Sequence, residues 1–167
     1  GMLKNGSAAA QAAAAQAVAN AAAYSRDSQV AIAAAGAVPL LLVLLGVGKA
    51  QMPAAACLAK LAATNAQIQT EISDAGGISP LLALLNKGST EGQVQAAAAL
   101  CELARDNVNT QAAIAKAGGI GPLLALTQAT GRGAEAAQSH AMGALAQLAH
   151  HNKDNQDAIA RMGGVKP

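Results

Sequence analysis

Hydrophobic residues along this chain fall into short helical stripes that recur in a fixed order, and residues 77–118 show one full cycle. Ile78-Ser79-Pro80-Leu81-Leu82-Ala83-Leu84-Leu85 carries a Leu-Leu-x-x-Leu spacing that lines one side of a helix. After the polar break Asn86-Lys87-Gly88-Ser89-Thr90, the run from Val94 to Ala104 gives a longer stripe through Leu100 and Leu103, with Ala104 small enough for close packing. Asn109-Thr110-Gln111-Ala112-Ala113-Ile114 opens a short helix that stops at Ala117-Gly118. The same order begins upstream at Gly36 and downstream at Gly119, so Ile32, Ile72, Ile114 and Ile159 centre four copies of the short helix.

Polar and special residues punctuate the stripes. The short helix is expected to follow a cap at Asp27, Asn109 or Asp154, with Gln67 as a weaker fourth. It ends at Gly36, Gly76, Gly118 or Gly163, where a residue without Cβ can take the left-handed conformation that stops a helix. The next helix is expected to start at Pro39, Pro80 or Pro122, whose missing N–H costs nothing in a first turn. Prolines at 39, 80, 122 and 167 lie 41, 42 and 45 residues apart. A near-constant period of that size, with helices in each unit, is the mark of an α-solenoid. Residues 7–24, rich in Ala and Gln, favour helix by propensity and align as the last helix of a repeat whose beginning is missing.

The chain therefore reads as all-α, a single solenoid domain over residues 3–167 with about 11 helices. A partial repeat spans 7–35, full repeats span about 36–75, 76–117 and 118–162, and another starts at 163–167. Gly1-Met2 reads as a cleavage scar. Residues 30–48 pass without a charge and are long enough to cross a bilayer. Gly36 and Pro39 break them at the repeat's own junction, however, so they read as two solenoid helices and no membrane partner is expected.

Composition narrows the chemistry. Phe and Trp are absent and Tyr24 is the only aromatic residue, so the core must be built from Leu, Ile, Val and Ala. The net charge of +2 is spread along the chain, without the clustered cations that nucleic-acid binding requires. Cys57 and Cys101 occupy non-equivalent positions, aligning with Ala99 and Ala59, and read as small buried residues in a reducing, intracellular setting, cytoplasmic or nuclear. Gly46-Val47-Gly48-Lys49-Ala50 ends like a phosphate loop, but Val43 stands at the first glycine and Ala50 replaces the magnesium-binding hydroxyl, leaving an interhelix loop. His150 and His151 are adjacent on the helix pattern, so their side chains point about 100° apart and do not form a chelating i, i+4 pair. No spacing fits a Ser, Cys or carboxylate catalytic set, so no catalytic residue, metal or cofactor is expected.

With three helices placed per unit, the chain resembles a tandem of armadillo repeats. The resemblance rests on Gly-Gly-Ile-x-Pro-Leu-Leu, on the Ala-x-Leu-x-x-Leu-Ala third helix and on Gln-x-x-Ile-x-x-x-Gly in the first, and covers roughly residues 11–167. It implies a right-handed superhelix whose third helices line a concave face that binds extended peptides or disordered segments. Relatives that recognise nuclear-import signals carry a ladder of Trp and Asn there. Here the Asn-equivalent positions are Asn20, Lys60, Glu102 and Gln147, and the Trp-equivalent positions are Gln16, Ala56, Ala98 and Gly143, which disfavours an import receptor.

Helical spacing then groups the candidate partner-binding residues. Gln95, Glu102, Arg105 and Asp106 share a face in one repeat; His140, Gln147, His150 and His151 do so in the next, and Lys60 with Thr64 in the one before. Asn20 and Tyr24 occupy the matching positions near the N-terminus, and Tyr24 is either an aromatic anchor for a partner or a cap on an unfinished edge. The expected function is a non-enzymatic protein-interaction scaffold. The alternatives are a segment that self-associates through uncapped, apolar terminal repeats, or the targeting arm of a larger enzyme such as a ubiquitin ligase.

Overall fold

A computed structural model of the chain describes residues 1–163; the expected start of a further repeat at residues 164–167 lies outside the described residues. The helices are α1 (Met2–Asn5), α2 (Ala8–Ala22), α3 (Arg26–Ala34), α4 (Ala37–Leu44), α5 (Gln51–Ala62), α6 (Ala66–Asp74), α7 (Ile78–Lys87), α8 (Thr90–Ala104), α9 (Val108–Lys116), α10 (Ile120–Thr127), α11 (Ala134–Ala149) and α12 (Lys153–Gly163). A 3-10 turn at Gly48–Ala50 precedes α5, so the phosphate-loop look-alike is the linker between α4 and α5. Among the described residues there is no strand.

The long helices α2, α5, α8 and α11 stack side by side along their lengths, while the shorter α4, α7 and α10 pack outside them and touch one another at few points. Closer contact in the first row than in the second bends the stack toward the long helices, which form its inner face. Leu58, Leu61, Leu100, Leu103 and Leu148 are buried in this row as their spacing requires, with Ala62 and Ala104 allowing the close approach. Val38, Leu41 and Leu44 bury the outer row in one repeat, and Ile78, Leu81 and Leu84 do so in the next.

These matched residues show that Pro39 is one position out of register with Pro80. The buried pairs Val38 and Ile78, Leu41 and Leu81, and Leu44 and Leu84 are each 40 positions apart, whereas the two prolines are 41 apart. Pro39, Pro80 and Pro122 all sit two residues inside helices that begin at Ala37, Ile78 and Ile120, still within the first turn where the N–H has no intrahelical acceptor. The expected stops at Gly36, Gly76 and Gly118 adopt φ of +76°, +79° and +80°. At Gly36 the chain turns by 82° between α3 and α4, and among the described residues no single helix is long and apolar enough to cross a membrane. Gly163, expected to end a helix, is the last described residue of α12.

Two expectations change at the helix starts. The caps are Ser25, Asn65, Asn107 and Asn152, two residues before the expected Asp27, Gln67, Asn109 and Asp154. The Oγ of Ser25 accepts from Ser28 N at 3.1 Å, and the Oδ1 atoms of Asn65, Asn107 and Asn152 accept from Ile68, Thr110 and Asn155 N at 3.3, 3.2 and 3.2 Å. A cap must keep its own backbone out of the helix while its side chain reaches back to the N3 amide, and Asp27 is already inside the first turn, where its charge meets the positive helix end. The described helices also number 12 rather than about 11, because α1 precedes the Ala-rich helix. Gln11 Nε2 donates to Leu3 O at 3.3 Å just as Gln93 Nε2 donates to Leu85 O at 3.0 Å, which makes α1 the last turn of a second helix.

A polar ladder ties successive repeats together beneath these caps. Gln69 Nε2 donates to Ala62 O at 3.1 Å and, one repeat on, to Glu102 O at 2.9 Å, while its Oε1 accepts from Asn107 Nδ2 at 3.2 Å. Gln111 repeats the arrangement toward Ala104 O at 3.1 Å and Asn152 Nδ2 at 3.3 Å. Each glutamine thus satisfies carbonyls left open at the C-terminus of a third helix. In the first rung Gln29 Nε2 reaches Lys60 O at 2.9 Å, but Gln29 Oε1 and Asn65 Nδ2, the acceptor and donor that would pair, are both buried without a partner among the described residues.

Candidate interaction surface

The inner face is built from one column of residues on the third helices: Asn20 on α2, Lys60 on α5, Glu102 on α8 and Gln147 on α11. Asn20 is exposed and the other three are half-buried. The stacking that brings α2, α5, α8 and α11 side by side puts these four in a row, and Gln95 on α8 and His140 on α11 lie two turns earlier on the same helices. Beside them the Gln16, Ala56, Ala98 and Gly143 column gives a floor with little side-chain volume past the first helix. Gly143 has Cys101 Sγ 3.3 Å from where a Cβ would stand, so any larger residue there presses on the neighbouring helix.

The charges on this face are largely satisfied locally. Arg105 Nε and one terminal nitrogen each meet a Glu102 carboxylate oxygen at 2.9 Å, a bidentate pair. The hydrogen bond to Glu102 raises the Arg105 guanidinium above its ordinary value, opposed by partial burial. A planar fork on a carboxylate fixes both groups, so this repeat presents a rigid neutral pair. Asn20 is held by its own helix, with Gln16 Nε2 donating to its Oδ1 at 3.0 Å. Lys60 is the one column residue with a net charge, and it pulls the neighbouring Cys57 thiol down against the stronger upward push of burial.

Part of the expected grouping moves off the helices. α5, α8 and α11 end at Ala62, Ala104 and Ala149, so Thr64, Arg105, Asp106, His150 and His151 stand on the turns that follow rather than on helical faces. Arg105 and His150 are extended, and Thr64, Asp106 and His151 adopt left-handed φ of 55°, 51° and 53°. These turns form a second, linked edge: His150 Nδ1 comes 3.5 Å from Asp106 Oδ1 of the preceding repeat, and the His150 and His151 rings lie 4.0 Å apart. Tyr24 occupies the matching turn without the left-handed backbone and is 89% exposed.

Cys57 and Cys101 are free and buried as expected, and burial pushes the Cys57 thiol up to about 12 and the Cys101 thiol in the same direction. Among the described residues, no group of three or more His, Cys, Asp or Glu is placed to hold a metal ion. The clefts are open and shallow: Pro80 over Leu45 and Pro122 over Leu85 wall two matching grooves on the outer row. The residues the pattern reading did not assign a role are the ladder pairs, although Gln29, Gln69, Gln111 and Gln156 recur at one register and could have signalled them.

The model of the armadillo/beta-catenin-like repeat matches residues 64–105. Among solved structures, the crystal structure of an engineered protein is 32% identical over 98% of this chain, with a TM-score of 0.92. A designed armadillo repeat protein is 27% identical over 97% of the chain at a TM-score of 0.88. A structure described as computationally designed armadillo repeat proteins for modular peptide recognition is 27% identical over 98% of the chain at 0.87. The chain spans 66%, 68% and 68% of those three structures, so each is longer than what it matches. No curated protein matches the sequence.

Proposed function

We propose, from the premise that this chain is an array of armadillo repeats, that it is a non-enzymatic protein-interaction scaffold holding an extended peptide or a disordered segment of a partner along the third helices. The observation that carries the reading is the row Asn20, Lys60, Glu102 and Gln147, with Tyr24, Arg105 and His150 at its turn edge and Gln95 and His140 further along the helices. One polar or charged group per repeat, above a floor of small residues, offers an extended backbone hydrogen bonds at regular intervals without filling the groove. That a similar structure is described as designed for modular peptide recognition supports the same use of the scaffold. The absence of indole side chains leaves the row itself without a stacking platform, Tyr24 at its edge being the one aromatic ring, which sets the chain apart from import receptors. An intracellular setting, with two buried free thiols, fits this reading.

The test is selection of binders from a random linear-peptide library, followed by titration against variants. Lys60→Glu, Glu102→Lys and Gln147→Lys are expected to weaken selected peptides at least tenfold, while Val43→Ser on the outer row leaves them unchanged. Peptides indifferent to the inner row but lost on the outer-row change would overturn the assignment of the face.

A second reading, self-association through the outer faces of the terminal repeats, is favoured by Met142. It is 56% exposed on α11, whereas Ala97, at the same register on α8, is fully buried against the next repeat. Apolar surface of this kind invites a partner.

A further inference from the structure

We infer that the junction between α3–α5 and α6–α8 is a hinge: α3, α4 and α5 swing together about the α5–α8 contact, between the arrangement seen here and a closed one in which Asn65 Nδ2 donates to Gln29 Oε1. The swing changes the spacing of Lys60 and Glu102 on the inner row, so a segment lying there selects one of the two states. This last step rests on the scaffold reading; the hinge itself does not.

Successive first helices are tied together at the two later junctions. Asn107, at the start of α9, donates from Nδ2 to three acceptors on α6: Gln69 Oε1 at 3.2 Å, Thr70 Oγ1 at 3.3 Å and Ala66 O at 3.5 Å. α12 is tied to α9 through Asn152 Nδ2 on Gln111 Oε1 at 3.3 Å and Asn155 Nδ2 on Gln111 O at 3.4 Å. Among the described residues no side-chain bond joins α6 to α3, although Asn65 stands at the register of Asn107 and Gln29 at that of Gln69. Neither amide can turn over to relieve this, because Asn65 Oδ1 accepts from Ile68 N at 3.3 Å and Gln29 Nε2 donates to Lys60 O at 2.9 Å. A buried donor and acceptor left unpaired carry their full desolvation cost, and closing the rung removes it.

The packing is loose at the same junction and pinned at one point. α3 meets α6, and α4 meets α7, less extensively than α6 meets α9 and α7 meets α10, whereas α5 and α8 stack as closely as α8 and α11. The cleft between Leu45 and Pro80 measures about 290 Å³, against about 230 Å³ for the matching cleft between Leu85 and Pro122. The pin is Leu42, whose Cδ2 lies 2.9 Å from where a Cβ on Gly77 would stand, tighter than the 3.3 Å of Leu82 at Gly119. Gln69 Nε2 holds the pivot by bonding both Ala62 O on α5 and Glu102 O on α8. What keeps the closed state from winning outright is Val30, which stands where Thr70 offers its hydroxyl, so Asn65 gains fewer acceptors than Asn107 has. Because Gln29 is bonded to the carbonyl of Lys60 itself, a move of α3 toward α6 carries the Lys60 end of α5 with it.

Distances between paired spin labels test this, on the chain carrying Cys57→Ala and Cys101→Ala, which copy Ala99 and Ala59 at the same registers. Labels at Asp27→Cys and Gln67→Cys span the hinge, and labels at Gln67→Cys and Asn109→Cys, exposed at the same register, span the next junction. The first pair is expected to give two distances and the second pair one. Val30→Thr supplies the missing hydroxyl at an exposed position and should raise the ratio of the shorter to the longer distance about five- to tenfold. Asn65→Ser keeps a cap of the kind Ser25 provides but removes Nδ2, and should leave only the longer distance. A saturating peptide selected on the inner row should shift the ratio in the chain with neither change. One distance for the first pair, unmoved by either variant, would overturn the hinge. Two distances that answer to the variants but not to the peptide would overturn the link to the inner row and leave the hinge standing. Selection of no peptide at all would overturn the scaffold reading and that link with it, and the label distances alone would still decide the hinge.

Discussion

Thr64 holds a left-handed backbone with φ of 55°, although its branched side chain clashes with the following carbonyl there. The turn persists because the residue after it, Asn65, must be placed to cap α6, so the repeat holds strain in exchange for a cap. Asp106 and His151 carry the same turn more comfortably, since short polar and imidazole side chains are enriched in that region. Thr64 is exposed and its replacement removes no packing. Thr64→Gly is expected to raise unfolding stability by about 1 kcal/mol in a denaturant titration, and Asp106→Gly to change it by less. The Cys57 thiol makes an independent prediction. Its folded pKa, about 12, exceeds the ordinary thiol value of 9.0, so above pH 9 the unfolded chain has lost a proton that the folded chain keeps, and stability falls as pH rises. The slope should approach 1.4 kcal/mol per pH unit for that thiol, about one factor of ten per unit. Cys57→Ala, which copies the buried Ala99 of the next repeat, should flatten that limb when unfolding midpoints are measured from pH 9 to 11.

At the scale of the element, the junction between first and second helices is where glycine has two distinct jobs. Gly76 supplies the left-handed turn, and Gly77 N then donates to Ile72 O at 2.9 Å, with Gly119 N doing the same to Ile114 O. This is the six-to-one closure of a Schellman motif. A Cβ on Gly77 would stand 2.8 Å from Ile72 O and 2.9 Å from Leu42 Cδ2, while one on Gly76 would meet open space. Gly76→Ala should therefore cost about 1–2 kcal/mol of backbone strain alone, and Gly77→Ala more, because a backbone oxygen has to move; thermal unfolding of the two variants side by side gives the order. The first junction has Ala37 in place of the second glycine and lacks this closure, so α4 starts one register position earlier than α7, and Pro39 and Pro80 each stay the third residue of their helix. Aligning the chain on its prolines hid this, since proline is tolerated anywhere in a first turn and does not fix register. The leucine stripes and glycine stops, which are consequences of burial and φ, were legible at once. The caps were misplaced by two residues because the signal that sets them, a left-handed residue just before the asparagine, is carried by Thr, Asp and His rather than by glycine. The inner row on α2, α5, α8 and α11 was legible because it follows helical period, whereas the turn residues were grouped on a face that the helices do not extend to reach.

Across the whole molecule, stability is distributed by neighbours, because each repeat buries its faces only against the next. The middle is densest: α5 and α8 each have a third helix on both sides, Leu58, Leu61, Leu100 and Leu103 are buried between them, and the Gln69 rung is complete. The N-terminal end offers less. α2 buries only alanines, Ala15, Ala19 and Ala22, with Val18 half-buried where Leu58 and Leu100 are enclosed, and an alanine removes far less apolar surface from water than a leucine. Its ladder rung is open at Gln29 Oε1, so α3 is held by one hydrogen bond of the glutamine instead of three polar contacts. Amide exchange at low protein concentration should therefore slow from α2 and α3 toward a maximum in α5, α8 and α9, then quicken again in α12. A uniform rate along the chain would mean that the repeats unfold as one unit, with nearest-neighbour coupling strong enough to erase the difference between an alanine-filled edge and a leucine-filled middle.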